Sequence, residues 1–469
     1  MKKSIFALLC LCIATCSAYA QESEIKRRIQ EETAPAPEFP QVVEKFYLDY
    51  GAWLRYDGTH FDDFAIDLKK RDLRVEYMWA WAEAVLNETH RFYLRALTMN
   101  VDYSEGDSYA RHDDRFYSPR LDLGFYEFRT QPGAKSLPAL SAFSVRIGRQ
   151  YFRVGSGLAY NRVHDGLYAS AQLRALTLDA FWSTSVRSED DIDRSRPDPD
   201  HSHRDFCGLV AKMKLTSGCE PYAFAVFQRD KNGERPNVSW SDYTFDSEYY
   251  GVGAKGSIIS RLNYSAEWIW ERGNRCPDQW FSPTPLRPEP IDAKAAVVKL
   301  EYLPSLECRP IISAEYLYGS GDANRSNATD TTFGNRPGTY DTAFLGFGFV
   351  DAGYVLYPIL TNLHVYKLSG SVVLLQERDF CRELRVGTAF IWFSKDKRES
   401  GISDYRASSG TLGRGSVGFE VDAFATYKVF SDLSATLRYG RFDPGSAYPN
   451  TAHYREPRDY FSFFLLYSF

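Results

Sequence analysis

The most specific internal pattern in this chain is Val145-Arg146-Ile147-Gly148-Arg149-Gln150-Tyr151-Phe152-Arg153-Val154-Gly155, followed by Asp165-Gly166-Leu167. Its guanidinium groups suit contact with anions more than the making of bonds. A catalytic site would need a nucleophile or acid pair beside a positioned base. The 8 histidines lie mostly in loops or turns, and no Ser/His/Asp grouping stands out. No glycine loop ending in Lys-Ser or Lys-Thr offers a phosphate cradle. Ser188–Asp193 and Asp198–His203 gather carboxylates and imidazoles, but without defined ligand spacing they read as a solvated loop, with a divalent cation the sharper alternative. Of 8 cysteines, Cys207, Cys219, Cys276, Cys308 and Cys381 lie beyond residue 20, without metal-ligand spacing. Free thiols are expected, the alternative being a disulfide between two of the turns that hold Cys219, Cys308 and Cys381. The chain is therefore expected to be no enzyme and to hold no cofactor or metal. Its formal charge of −5 gives no overall basic character for nucleic acid.

These residues need elements to hold them, and the pattern is of strands. At the end of the chain Phe461, Phe463, Leu465, Tyr467 and Phe469 share one side of a period-2 strand. A bare aromatic edge invites aggregation in water, whereas closing it against the first strand leaves the apolar side for lipid. Such an ending resembles the C-terminal signature of bacterial outer-membrane β-barrels. Lys2 and Lys3, the apolar run Ile5 to Ala14 and Ala18-Tyr19-Ala20 predict a signal peptide over residues 1–20. Cys16 as a lipidated residue is disfavoured by the Thr15 before it. Residues 21–45, with Pro35, Pro37 and Pro40, read as a periplasmic leader.

From Tyr47 onward, strand-like segments alternate with short turns and long loops, giving about eighteen strands across 46–469, each near the ~9–11 residues that cross a membrane. Turns such as Leu86–His90 and Phe430–Asp432 are short, while 187–204, 230–246, 273–291 and 321–363 are long. That segregation predicts an all-β transmembrane antiparallel barrel with long extracellular loops and short periplasmic turns. The apolar segment 344–360 either folds inward over the pore, the reading preferred, or hides another hairpin. The longest periplasmic connection, 130–141, is the one candidate plug at that end. The composition, with 32 Tyr, 32 Phe and 9 Trp, suits aromatic girdles at two interfaces.

Alternation assigns faces. Leu73, Val75, Tyr77, Trp79 and Trp81 are expected toward lipid, with Arg74, Glu76 and Met78 inside. Leu178, Ala180, Trp182 and Val186 oppose Asp179, Ser183 and Ser185; Leu433, Ala435, Leu437 and Tyr439 oppose Ser434, Thr436 and Arg438. Arg146, Arg149 and Arg153 cannot share one face of a regular strand, so a bulge at Gly148 is expected to turn the later ones inward. The plainer alternative for any one of them is an interfacial, snorkelling side chain. Further lumen candidates are Arg55, Arg74, Lys212, Lys255, Lys299, Lys367, Arg385 and Arg438, facing Asp122, Asp179, Glu267, Glu315, Glu420 and Asp422. The plain reading is that these neutralise one another across neighbouring strands.

The Arg-x-Gly-Arg-Gln strand at 146–150, the glycine-bearing loop after it, Asp165-Gly166 opening the next strand, and Asn362-Leu363 leading into another resemble the alginate-export porins. The resemblance implies an 18-stranded barrel that passively exports an anionic polysaccharide through an arginine-lined pore. Guanidinium groups lower the barrier for carboxylates, and multiple weak sites keep a polymer moving. It implies Arg146, Arg149, Arg153 and Asp165 as lining residues, a monomer in outer-membrane lipid, and a periplasmic export machinery as partner. The mixture of charges leaves open a neutral or mixed sugar polymer, a diffusion porin for small sugars or organic acids, and an adhesion or scaffold barrel.

Overall fold

The computed structural model describes residues 46–63, 69–104, 114–130, 141–186, 203–216, 218–231, 245–276, 288–325, 335–378, 381–404, 407, 413–450 and 452–469. The expected signal peptide and leader lie outside these residues, as do 131–140 and most of the acidic loop 187–202.

Eighteen strands follow one another: β1 (Phe46–Asp63), β2 (Lys69–Leu86), β3 (His90–Tyr103), β4 (Arg115–Arg129), β5 (Ala142–Val154) and β6 (Tyr160–Leu173). Next come β7 (Leu176–Thr184), β8 (Arg204–Met213), β9 (Glu220–Asp230), β10 (Phe245–Ile259), β11 (Leu262–Arg275) and β12 (Glu289–Tyr302). The last six are β13 (Ile311–Gly319), β14 (Leu363–Arg378), β15 (Cys381–Lys395), β16 (Ser416–Lys428), β17 (Leu433–Pro444) and β18 (Arg458–Ser468). Each pairs antiparallel with its sequence neighbours, and β1 pairs with both β2 and β18, so the sheet closes without an edge. Closure pairs the wall amides around the ring, which a strand structure in lipid requires.

The outer surface is the lipid face. Leu94, Ile147, Leu167, Trp182, Leu209, Trp268, Tyr366, Trp392, Leu437 and Phe461 are exposed around the barrel. Phe461 and Tyr467 on β18, and Phe469 just after it, are exposed on the outside as expected, and Ser462 is buried. The faces of β7 and β17 also follow the alternation, with Trp182 and Leu437 exposed and Asp179, Ser183 and Thr436 buried; Val186, expected toward lipid, lies past the end of β7 and is buried.

On β2 the expectation is inverted. Leu73, Val75 and Tyr77 are buried in the interior, packed with Leu97, Val101 and Tyr103 of β3, while Met78 is exposed. Arg74 points outward and meets Asp102 at 3.6 Å with over half its side chain in solvent. At 18 residues β2 is far longer than a crossing needs. Its first half therefore rises beyond the bilayer, where an outward charge costs little and an inward apolar face can be covered by protein.

Segment 344–360 folds into the barrel as preferred, and adds no hairpin to the eighteen strands. Cys207, Cys219 and Cys308 are free thiols; the side chain of Cys381 lies outside what is described.

Candidate functional site

Two chain segments leave the wall and fill one side of the interior. The first is the β5–β6 hairpin. Its own register runs without a slip from Ala142↔Gln172 to Val154↔Tyr160, so the expected bulge at Gly148 is absent. What changes is the pairing outside it. β4 follows β5 only as far as Arg149, and β7 follows β6 only up to Asp165. Above that row the hairpin turns inward as a unit. Glycine is required at the bend: Gly148 has φ +125°, and a Cβ there would sit 2.3 Å from the Gly124 carbonyl. A Cβ on its partner Gly166 would sit 2.2 Å from the Trp182 carbonyl.

Arg149 fastens the bend. It pairs bidentately with Asp165 at 2.9 and 3.1 Å and donates from Nη1 to the Leu121 carbonyl at 2.9 Å. Gln150 Nε2 bridges the Arg146 and Gly166 carbonyls. Two residues expected to line the pore, Arg149 and Asp165, thus act on the fold of the hairpin. Beyond the bend, Phe152 and Tyr160 pack against Phe181 and Phe206 on one side. Arg153 is exposed on the other and donates to the Ser156 carbonyl at 3.0 Å.

The second segment, 343–360, meets the first edge to edge. Phe347, Gly348 and Phe349 donate their N–H groups to the carbonyls of Ala159, Leu158 and Gly157, each at 3.0 Å. The wall behind both segments is apolar, with Phe224, Val226, Tyr249, Ile269, Leu317, Ile391 and Phe442 buried against them. Inward carboxylates anchor the loop backbone. Glu420 accepts from Val355 and Leu356 N–H at 2.8 and 3.0 Å, Asp422 from Tyr354 at 3.2 Å and Glu271 from Leu345 at 2.8 Å.

The opposite wall carries a spiral of arginines, each over an aromatic ring. Arg438 of β17 lies between Tyr354 and Phe464, with its Cζ 5.2 and 5.0 Å from the ring centres. Arg55 of β1 covers the other part of Phe464 at 4.4 Å and meets Asp57 at 2.5 Å. Arg95 of β3 sits over Trp53 and pairs with Asp122 at 2.6 Å. Arg91, also of β3, pairs with Glu83 at 2.7 Å beside Phe125, and Arg146 of β5 lies over Phe125, 3.3 Å from Glu127. Stacking fixes a guanidinium plane while leaving its charge in place.

Arg91 and Arg95 are the residues that sequence reasoning missed. Inward parity on β3, read from Leu97 and Val101, would have found them. Of the arginines named from the sequence, Arg55 and Arg438 meet over Phe464, Arg146 lies apart over Phe125, and Arg74 points outward.

The remaining candidates form local pairs. Lys367 meets Asp351 of the inward segment at 3.0 Å. Against desolvation, which alone would raise it, Lys367 and Arg438 hold the Asp351 carboxyl below the ordinary range. Burial pushes the neighbouring Tyr354 hydroxyl up to about 12. Toward the short-turn end, Lys212 pairs with Asp179 at 2.8 Å, Lys255 with Glu220 and Lys299 with Glu301, both at 3.2 Å. Arg385 donates to Ser371 Oγ at 3.2 Å beside Glu383. No group of three metal-ligating side chains occurs among the described residues.

A closed eighteen-stranded barrel with an apolar exterior, loops folded inward and charged groups facing a narrowed passage defines a bacterial outer-membrane pore. The family described as "Alginate export" matches residues 134–460, well over half of the chain. The protein belongs to that family. Among solved structures it is similar to OccAB1 of Acinetobacter baumannii, with a TM-score of 0.55 and 11% identity over 90% of this chain and 96% of that one. It is also similar to OccK5 (OpdH) of Pseudomonas aeruginosa, with a TM-score of 0.51 and 14% identity over 90% and 98%. For the outer membrane protein OprD of Pseudomonas aeruginosa the values are 0.51 and 12% over 90% and 93%. At these identities the likeness is one of fold. No curated protein matches the chain.

Proposed function

We propose that the protein is a passive, monomeric pore for export of an anionic, uronate-like polysaccharide, with no bond made or broken during passage. The observation that carries this reading is the series Arg438, Arg91 and Arg146, partly exposed inside the barrel and joined along the wall by the buried Arg55 and Arg95; the partly exposed three offer a carboxylate-bearing chain similar weak sites. Each guanidinium is oriented by the ring beneath it. Four of the five also meet an inward carboxylate, which keeps any single site from holding the polymer. Exit toward the long-loop side would follow handover from a periplasmic assembly.

A second reading, diffusion of small organic acids or sugars, draws support from that same carboxylate pairing and from the two segments that narrow the passage. Block of planar-bilayer current separates the two. A polyuronate should reduce current at a concentration where the same mass of monomeric uronate or a neutral glucan does not. Equal block by the monomer would favour the second reading. No anion preference at all would remove both.

A further inference from the structure

The buried acids of the wall have no place in a passage for carboxylates, and their partners give them another role. Glu267, Glu271 and Glu420 are 4%, 0% and 0% exposed, so none is solvated as a lumen charge should be. A buried carboxylate persists only where donors satisfy it. Here the donors belong to the inward segments. Ser156 gives Glu267 its N–H at 2.7 Å and its hydroxyl at 2.5 Å, with Tyr222 completing the seat at 2.7 Å. Glu420 takes two successive loop amides, and a Cβ on Gly353 (φ +134°) would come within 2.6 Å of its Oε1. Segments that leave a sheet carry amides without ladder partners, and such amides must find acceptors inside the protein. The two seated segments are then stitched together by the three amides of Phe347, Gly348 and Phe349.

We propose that the β5–β6 tip and segment 343–356 form one gate, latched to the wall at Glu267 and Glu420, and that these two acids are positioning residues setting the width of the passage. The proposal concerns passage of any ion, so it stands or falls apart from the nature of the exported solute. Glutamine keeps the shape of either latch but sets an amide donor against a loop N–H, losing one acceptor.

The test is single-channel conductance in KCl of Glu420→Gln, Glu267→Gln and the double variant, with heat-modifiable migration on gels reporting the folded barrel. Either single variant should roughly double the conductance and add slow fluctuations, because narrowing elements are released. Since one gate has two latches, the double variant should conduct no more than the wider single one. Wild-type conductance in both folded single variants would overturn the latch. Multiplied effects in the double variant would overturn the single gate. Should an acid variant fail to assemble, Ser156→Ala and Gly348→Ala act on the loops alone. The latter sets a Cβ 1.8 Å from the Gly157 carbonyl. Both are expected to raise conductance, and no rise in either would also overturn the proposal.

Discussion

The interior divides into two sectors built by the same alternation of strand residues. From β7 to β16 the inward positions in the loop-filled region are largely Phe, Tyr, Ile, Leu, Val and Ala, and the inward segments cover them. From β17 through β18 and β1 to β5 they include Arg438, Phe464, Arg55, Trp53, Arg95, Arg91 and Arg146; Arg438, Arg91 and Arg146 are partly exposed there, while Arg55 and Arg95 are buried in their ion pairs with Asp57 and Asp122. A barrel wall is usually read as apolar outside and polar inside. Here the inner face is apolar where the inward segments cover it and along the β2–β3 cluster of Leu73, Val75, Tyr77, Leu97, Val101 and Tyr103, and it carries the arginines between β17 and β5. The family match begins at residue 134, so Arg55, Arg91 and Arg95 lie ahead of it and Arg146 and Arg438 within it. The spiral is thus assembled from both parts of the chain by closure of the barrel.

The sharpest way to break this division is at the bend. Gly148→Val places a β-branched residue at φ +125° with a carbonyl where its Cβ must go. Backbone strain alone is worth ~1–3 kcal/mol, and the steric conflict adds to it. The hairpin should no longer turn inward while paired to β4, so the filled sector should loosen. Loss of heat-modifiable folding, or a barrel with markedly raised conductance, is the expected result. A folded barrel with wild-type conductance would show that the bend does not depend on glycine. Gly338→Ala is the matching control, since φ is also positive at +83° but nothing lies within 4 Å of the added atom.

A smaller effect separates the arginine sector from arginines elsewhere. Arg146→Gln removes one rung without abandoning Glu127, which keeps Arg91 at 3.5 Å and Arg129 at 2.7 Å. Anion-over-cation permeability should fall by roughly twofold, as expected for loss of one of several similar sites. Arg74→Gln should leave it unchanged, because that side chain is on the outer face. A drop in both variants, measured by reversal potential in a salt gradient, would mean that overall charge rather than position sets selectivity.

Much of this was readable before the structure. Period-2 strands and segregated loop lengths specified the barrel, and the apolar run 344–360 was read as an inward segment in preference to another hairpin, which its composition alone left open. Faces were readable on β7 and β17, where charges and aromatics are cleanly separated. They were misread on β2, because hydrophobicity does not tell lipid from an inward cluster such as the one these residues form with Leu97, Val101 and Tyr103 of β3. The motif at 146–150 was recognised but its mechanics were not. Whether Gly148 makes a bulge or a bend depends on where β4 and β7 stop pairing, and strand ends are set by tertiary packing. The latches were invisible for a related reason. Glu267 and Glu420 look like any inward acid until the loop amides that reach them are located.

The finest test concerns a place where the filled sector offers a charge to the passage. Asp351 lies on the inward segment with half its side chain exposed, paired to Lys367 and near Arg438. Its pKa is depressed, so the pairing is fully present above the ordinary carboxylate value, about 3.9, and is lost only as pH falls through the lower folded value. Anion selectivity attributable to this pair should therefore be the same at pH 5 and pH 7. Asp351→Asn should raise it modestly at both, by leaving the Lys367 charge unopposed beside Arg438. If the wild-type protein gained anion selectivity between pH 7 and pH 5 and the variant did not, Asp351 would be titrating in that range. It would then have to stand free of Lys367 in the conducting state, and the inward segment would have to leave its seat whenever the pore is open.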